Sequence, residues 1–340
     1  MSARRWTKRI AVSAAVVAGA ALVSGMSYEL VMRERSTRDF PAPGRLVDVG
    51  GGRRIQLDCR GHGSPTVVLE SGLDTYGSLA WASVHDSIAA TTRVCAYSRA
   101  GIMWSDPTSG SFDSRAVAND LHRALSRAGE TVPWVMVGHS LGGPYVTVFT
   151  KLYGAEVSGV VLVDPTHPDQ FRRYREIAGK SIMPSAGLIR FGAAVAWTGL
   201  VRAQADASTP ASWPREIGRV NAAFLSASVY GLAREVEGIP ATLRAASELQ
   251  SFGDRPFVVL TAGRGPSSSE LTQMGLTAEQ GKRLRAVSSA LHENQAARAQ
   301  RGRHTVIPDA SHYIQFDRPD AVIGAIRDVV NSVRTTMMEF

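Results

Sequence analysis

Trp134-Val-Met-Val-Gly138-His139-Ser140-Leu141-Gly142-Gly143 is the stretch on which the reading of this chain turns. Its unbroken apolar run predicts a buried strand, and an amphipathic helical pattern follows to about Tyr153. Between the two, Gly138-x-Ser140-x-Gly142 has the pattern of a serine carried by a strand into a tight turn that a helix then leaves. Side chains at the flanking positions would collide with so close a turn, which is why glycine occupies them. The five-residue pattern alone is weak, because glycine and serine are common. Its place between strand and helix makes Ser140 the candidate nucleophile, with Gly138, His139 and Gly142 forming the elbow around it.

A serine hydroxyl is a poor nucleophile until a base takes its proton. Of the 8 histidines, His312 stands in a loop between the last strand-like run, Arg303 to Ile307, and a closing helix from about Pro319 to Val333. From there it can reach the elbow. His304 falls inside the strand and reads as structural; His122 and His292 fall on helical patterns read as exposed; His139 packs or orients beside the nucleophile; His167 is a lesser rival. Two backbone N–H groups must face the developing oxyanion. Leu141 follows the serine at a helix N-terminus, and Leu73 follows Ser71-Gly72 at the end of the strand Thr66 to Glu70, so these two are the candidates. For the acid, Asp164 ends the strand beside the elbow strand and is preferred. A turn before Pro165 is its structural alternative, Glu270 is second choice, and Asp309 lies too near the end of its own strand.

Outward from the elbow, strand-like runs alternate with longer amphipathic helical ones, the pattern of a parallel sheet covered on both faces. Residues 44–49 and 53–59, joined by Gly50-Gly-Gly52, predict an antiparallel hairpin. Further strands are expected at 66–70, 93–97, 157–163 and 256–261, and helices at 81–91, 114–129 (capped by Asp113 or Ser114) and within 277–300. Residues 168–250 break the rhythm with helical stretches and no convincing strand, and read as a helical cap over the carboxyl edge of the sheet. The Leu, Phe and Trp residues of this cap point to an apolar acyl or alcohol group in the substrate.

With these residues in place, residues 44–335 resemble the α/β-hydrolase superfamily. Tyr97-Ser-Arg-Ala-Gly101 with Trp104-Ser-Asp106 is similar to its Tyr-Asp-Arg-x-Gly-x-Gly-x-Ser segment, with Ser98 where aspartate is common and Met103 where glycine is common. Gly138-His-Ser-Leu-Gly-Gly143 and Asp309-x-x-His312 match directly, and Glu70-Ser-Gly72 replaces the usual His-Gly. The resemblance implies a mostly parallel eight-stranded sheet flanked by helices, and an acid after the seventh strand. Here that loop reads Ala262-Gly-Arg-Gly-Pro-Ser-Ser-Ser-Glu270, without aspartate. It also implies that the second and fourth strands are neighbours. Cys59 and Cys95 lie in those strands, leaving a disulfide and two buried thiols as the alternatives.

The 44% hydrophobic and 20% charged content of the 340 residues is that of a globular chain. Net charge is +8, but residues 1–38 hold seven basic residues against two acidic ones, so the excess describes the N-terminus and not a nucleic-acid surface. From Ile10 to Tyr28 no residue is charged, and a helix of that length spans roughly 28 Å. Residues 1–28 therefore read as a transmembrane signal anchor or a cleaved signal peptide, and 29–43 as a linker to the domain. The expectation is a serine hydrolase acting on a small ester-like substrate through an acyl-enzyme, with no metal or organic cofactor required. Its domain is expected outside the cytoplasm, anchored or secreted. A binding protein on a decayed hydrolase fold and an acyltransferase are the rivals.

Overall fold

The computed structural model describes residues 3–110, 112–206 and 213–338. A helix of 37 residues, α1 (Ala3–Asp39), precedes the sheet. Strands β1 (Arg45–Gly50) and β2 (Arg53–Arg60) form the antiparallel hairpin, and β3 (Thr66–Glu70), α2 (His85–Ala89), β4 (Val94–Tyr97), α3 (Ser114–Ala128), β5 (Trp134–His139), α4 (Gly142–Leu152) and β6 (Val157–Val163) follow. After the helical insertion come β7 (Gly253–Ala262) and β8 (Ala299–Ile307). The eight strands make one sheet in the order β1-β2-β4-β3-β5-β6-β7-β8, antiparallel at β1-β2-β4 and parallel from β4 onward. The sheet agrees with the α/β-hydrolase fold expected from the sequence.

The parallel strands are uninterrupted apolar runs because both sheet faces are covered. On one face Val68, Trp134, Met136 and Leu162 pack with Leu121 and Leu125 of α3 and Tyr145 and Phe149 of α4. On the other, Val67, Val135, Val137 and Val161 pack against Trp81, Ile88 and the closing helix residues Val322, Ile326 and Val329. The Asp113 carboxylate caps α3 by accepting from the N–H groups of Arg115 and Ala116, and Gly129 ends it in the left-handed conformation. Cys59 pairs with Cys95 across β2 and β4, and the two are joined by a disulfide.

Residues 168–250 hold α5 (Gln170–Ala178), α6 (Ala186–Val195), a short 3₁₀ turn at Ala196–Thr198, α7 (Leu200–Ala203) and the 33-residue α8 (Arg215–Ser247). Positions 207–212 of this stretch lie outside the described residues. The remaining helices are α9 (Ser268–Met274), α10 (Ala278–Ala296), α11 (Ile314–Asp317) and α12 (Pro319–Met338).

The segment read as a linker differs from that reading as far as Asp39. α1 runs through it, with Glu29 and Ser36 buried against the cap. The Arg202 guanidinium meets the Glu29 carboxylate at 2.8 Å and also donates to Ser36 Oγ, Ser226 Oγ and the Ala223 carbonyl. Arg33, one helical turn after Glu29, donates to the same carboxylate at 2.7 Å.

Candidate active site

Four of the eight strands end at one edge of the sheet and deliver the groups predicted from sequence. Ser140 follows β5 with φ +52°, the left-handed region that a non-glycine residue occupies only when its surroundings hold it there. Those surroundings are explicit. Ser140 N–H donates to the Val163 carbonyl of β6, and its own carbonyl accepts from Gly143 and Thr166. A Cβ at Gly142 would come within 2.5 Å of the Glu70 carbonyl oxygen, and one at Gly138 within 2.7 Å of the Gly142 carbonyl oxygen. The elbow is therefore too closely packed for side chains at either flank.

His312 stands between β8 and α11. Its Nε2 lies 2.9 Å from Ser140 Oγ, and its Nδ1 lies 2.7 Å from Asp164 Oδ2. With Nδ1–H donating to the carboxylate, Nε2 is left to accept the serine proton. Asp164 is itself at φ +40°, and its N–H donates to the Leu260 carbonyl. Its second oxygen accepts from Ala262 N–H at 2.9 Å and from Arg285 at 3.2 Å. The end of β7, whose following loop holds no aspartate, thus supplies the amide that orients Asp164. Burial works to raise the Asp164 carboxyl, but the hydrogen bond and charge of His312, with Arg285 behind, hold it below the usual carboxylate range.

The alternatives have other partners, although Glu270 and His292 line the same cavity as Ser140. Glu270 occupies the third position of α9, where its carboxylate accepts from Ser267 N–H and Oγ in a capping box. Asp309 is paired with Arg318 on the surface. His139 is buried beside the elbow and its Nε2–H donates to the His312 carbonyl; burial and the neighbouring His312 lower it to about 3. His304 donates to Thr261 Oγ1 from β8. His122 stacks on Tyr153, and His167 is buried with Nδ1 accepting from Asp169 N–H. His292 corrects an expectation: it is buried, because the face of α10 that carries it packs on β7. Its Nε2–H donates to the Pro165 carbonyl, and its Nδ1 accepts from Thr261 Oγ1 and stands 3.9 Å from Asp164.

Leu73 and Leu141 line the same cavity as Ser140 and His312. Gly72 brings the Leu73 loop against the elbow, since a Cβ there would stand 3.0 Å from Ser140 Cβ. Sequence reasoning passed over the group that fixes this loop. Arg99, just after β4 and buried, donates to the carbonyls of Ser71 (2.8 Å) and Gly72 (2.5 Å). It also meets Glu70 of β3 at 2.6 Å and Glu235 of α8 at 2.8 Å. The arginine of the segment beginning at Tyr97 was the available signal, but nothing local named its partners. Above the serine the cavity has a volume of about 440 Å³ and is walled by Phe171, Tyr174, Ile182, Pro184, Ile239 and Met274. Arg285 and Ser311 are among its polar groups.

Residues 22–325 match the family described as "Alpha/beta hydrolase family". A protein of Hormonema carpetanum named "Probable transporter efuK" is 32% identical over 126 residues, 35% of this chain and 18% of that one. The chain spans between 18% and 59% of the lengths of the curated relatives it matches. Among solved structures, a thermophilic esterase from Thermogutta terrifontis superposes with a TM-score of 0.59 at 20% identity, covering 85% of this chain and 97% of its own. A meta-cleavage product hydrolase from Pseudomonas fluorescens superposes with a TM-score of 0.57 at 14% identity, covering 86% and 98%. At these identities the likeness is one of fold.

Proposed function

This chain belongs to the alpha/beta hydrolase family, and from the geometry around Ser140 we propose that it is a serine hydrolase cleaving carboxylic esters. The observation that carries the reading is the unbroken line from Ser140 Oγ through His312 to Asp164, at 2.9 Å and 2.7 Å, on the floor of the cavity. In this reaction His312 Nε2 takes the hydroxyl proton as Ser140 Oγ bonds to the ester carbonyl carbon. The resulting oxyanion accepts from the N–H groups of Leu141 and Leu73. As the intermediate collapses, the C–O bond to the alcohol breaks and the alkoxide leaves with the proton held by His312. A water molecule then gives a proton to Nε2, attacks the acyl-enzyme and releases the acid, and the proton returns to Ser140. Asp164 stays ionised throughout and stabilises the imidazolium. The apolar walls from the cap favour an ester with an apolar acyl or alcohol part.

The same proposal has α1 as a membrane anchor with the hydrolase domain on the oxidising side. Trp6–Asp39 contains a window with mean hydropathy of 1.9 that is wholly exposed, and the Cys59–Cys95 disulfide belongs to an oxidising compartment. The test is labelling of the full chain with a fluorophosphonate, followed by peptide mass spectrometry. An adduct on Ser140, abolished in His312→Ala and slowed at least about 100-fold in Asp164→Asn, is expected. A folded protein that takes no label refutes the reading. Intact mass of the membrane-extracted product distinguishes an anchor from a leader cleaved near residue 26.

A further inference from the structure

The long N-terminal helix and the cap meet at one place. Side chains from Trp6 to Ser24 of α1 are exposed on every side, and the docked part begins at Gly25. A Cβ on Gly25 would come within 2.2 Å of the Thr198 carbonyl oxygen, and Gly199 lies against Gly25 and Tyr28, so backbone touches backbone there. Arg202, on Glu29 and Ser36, locks the next turns. The height of α7 and the 3₁₀ turn relative to α1 is thereby set.

This locked part of the cap displays large apolar side chains outward. Leu188 is 72% exposed, Phe191 65%, Leu200 56% and Trp197 45%. Ala186–Thr198 is an apolar stretch, and its arginine, Arg190, pairs with Glu237. A cluster of this kind within one short segment marks a surface that meets an apolar partner. Continuity with α1 argues which partner it is. The uncharged part of α1, Ile10 to Tyr28, makes a helix of roughly 28 Å, so the hydrocarbon ends within the turn Gly25–Tyr28 that touches Thr198 and Gly199. Trp197 and Leu200 flank that level, where an indole and short apolar helices settle at the membrane interface.

We propose that the outward face of α6–α7, built from Leu188, Phe191, Trp197 and Leu200, is seated in the lipid leaflet that α1 enters. Ile182 and Pro184 of the cavity wall lie just before α6 in the chain, so the wall of the site is continuous with the segment seated in the leaflet. The inference rests on the reading of α1 as a membrane anchor. The experiment places the full chain in phosphatidylcholine nanodiscs whose acyl chains carry bromine close to the headgroup. Fluorescence quenching is assigned by difference with Trp6→Phe and Trp197→Phe variants. Quenching of both indoles, with about a twofold loss of the Trp197 emission, is expected. Quenching of Trp6 without Trp197 overturns the seating while leaving the anchor intact. Quenching of neither removes the anchor and the seating together. Two copies per disc with Trp197 shielded but unquenched overturns it in favour of a contact between chains. Fluorophosphonate labelling of Ser140 in the same discs tests the hydrolase reading separately, because Trp197 is outside the cavity.

Discussion

Two buried arginines pin α8, and their surroundings are of opposite charge balance. Arg99 joins Glu235 of α8 to the loop at Ser71-Gly72, and three buried carboxylates, Glu70, Asp74 and Glu235, surround it. Arg202 joins Ser226 and Ala223 of α8 to α1, where a single carboxylate, Glu29, is shared with Arg33. The first cluster is acid-rich, and burial raises Glu70 to about 6, Asp74 to about 7 and Glu235 above its ordinary value. The second cluster is cation-rich, with two guanidiniums on one carboxylate. The difference teaches where each sign of charge is in surplus: carboxylates beside the Ser71–Gly72 loop that the proposed mechanism uses, guanidiniums at the seam between helix and cap. On the proposed mechanism, one arginine bears on reactivity and the other on architecture.

The strongest way to break that contrast is at Arg99. Arg99→Met leaves its carboxylates without a cation and is expected to lose about 3–5 kcal/mol by urea unfolding at pH 7.5, with part regained near pH 5 as the carboxylates protonate. Arg99→Lys keeps the charge but not the fork that holds both carbonyls. It should fold, and its fluorophosphonate labelling rate should fall by about 10- to 100-fold. An unchanged rate in the lysine variant would sever Arg99 from the proposed oxyanion role of the Leu73 loop. At the other seam, Arg202→Met should lose less, about 2 kcal/mol, because Arg33 remains on Glu29. Hydrogen exchange should rise in residues 25–39 and 215–226 while Ser140 labels at its usual rate. A slowed label there would erase the division of roles. The last effect is a slope. Asp74 keeps one oxygen on Tyr76 N–H and, among the described residues, has no hydrogen-bond partner for the other. Its folded pKa of about 7 exceeds the unfolded value, so the native state binds the extra proton between about pH 4 and 7. Stability therefore falls with rising pH across that window, by at most about 1.4 kcal/mol per pH unit. Asp74→Asn should flatten this gradient, and equal slopes in the two proteins would count against it.

What could be read from the sequence divides by distance along the chain. The strand Trp134–His139 and its serine turn are local, and periodicity with two glycines was enough to locate them. Asp164 was legible as a strand end, but the groups that orient it, Ala262 N–H and Arg285, come from 98 and 121 residues away. Glu270 entered as a rival acid although Ser267-Ser-Ser-Glu270 is itself a capping-box pattern, a local signal left unused. The spacing of Glu29 and Arg33 likewise announces a helix through the segment read as a linker. Tertiary burial of His292 and the pairing of Glu29 with Arg202 leave no such trace. Met103, noted at a position where glycine is common, adopts φ +52°.

The positive φ of Ser140 has a consequence for the history of the chain. Glycine takes that conformation without steric penalty, whereas serine holds it at a penalty on the order of 1 kcal/mol or more. Random substitution judged by folding alone would therefore drift toward glycine at position 140. A serine at this position is therefore one that selection for stability alone would not favour.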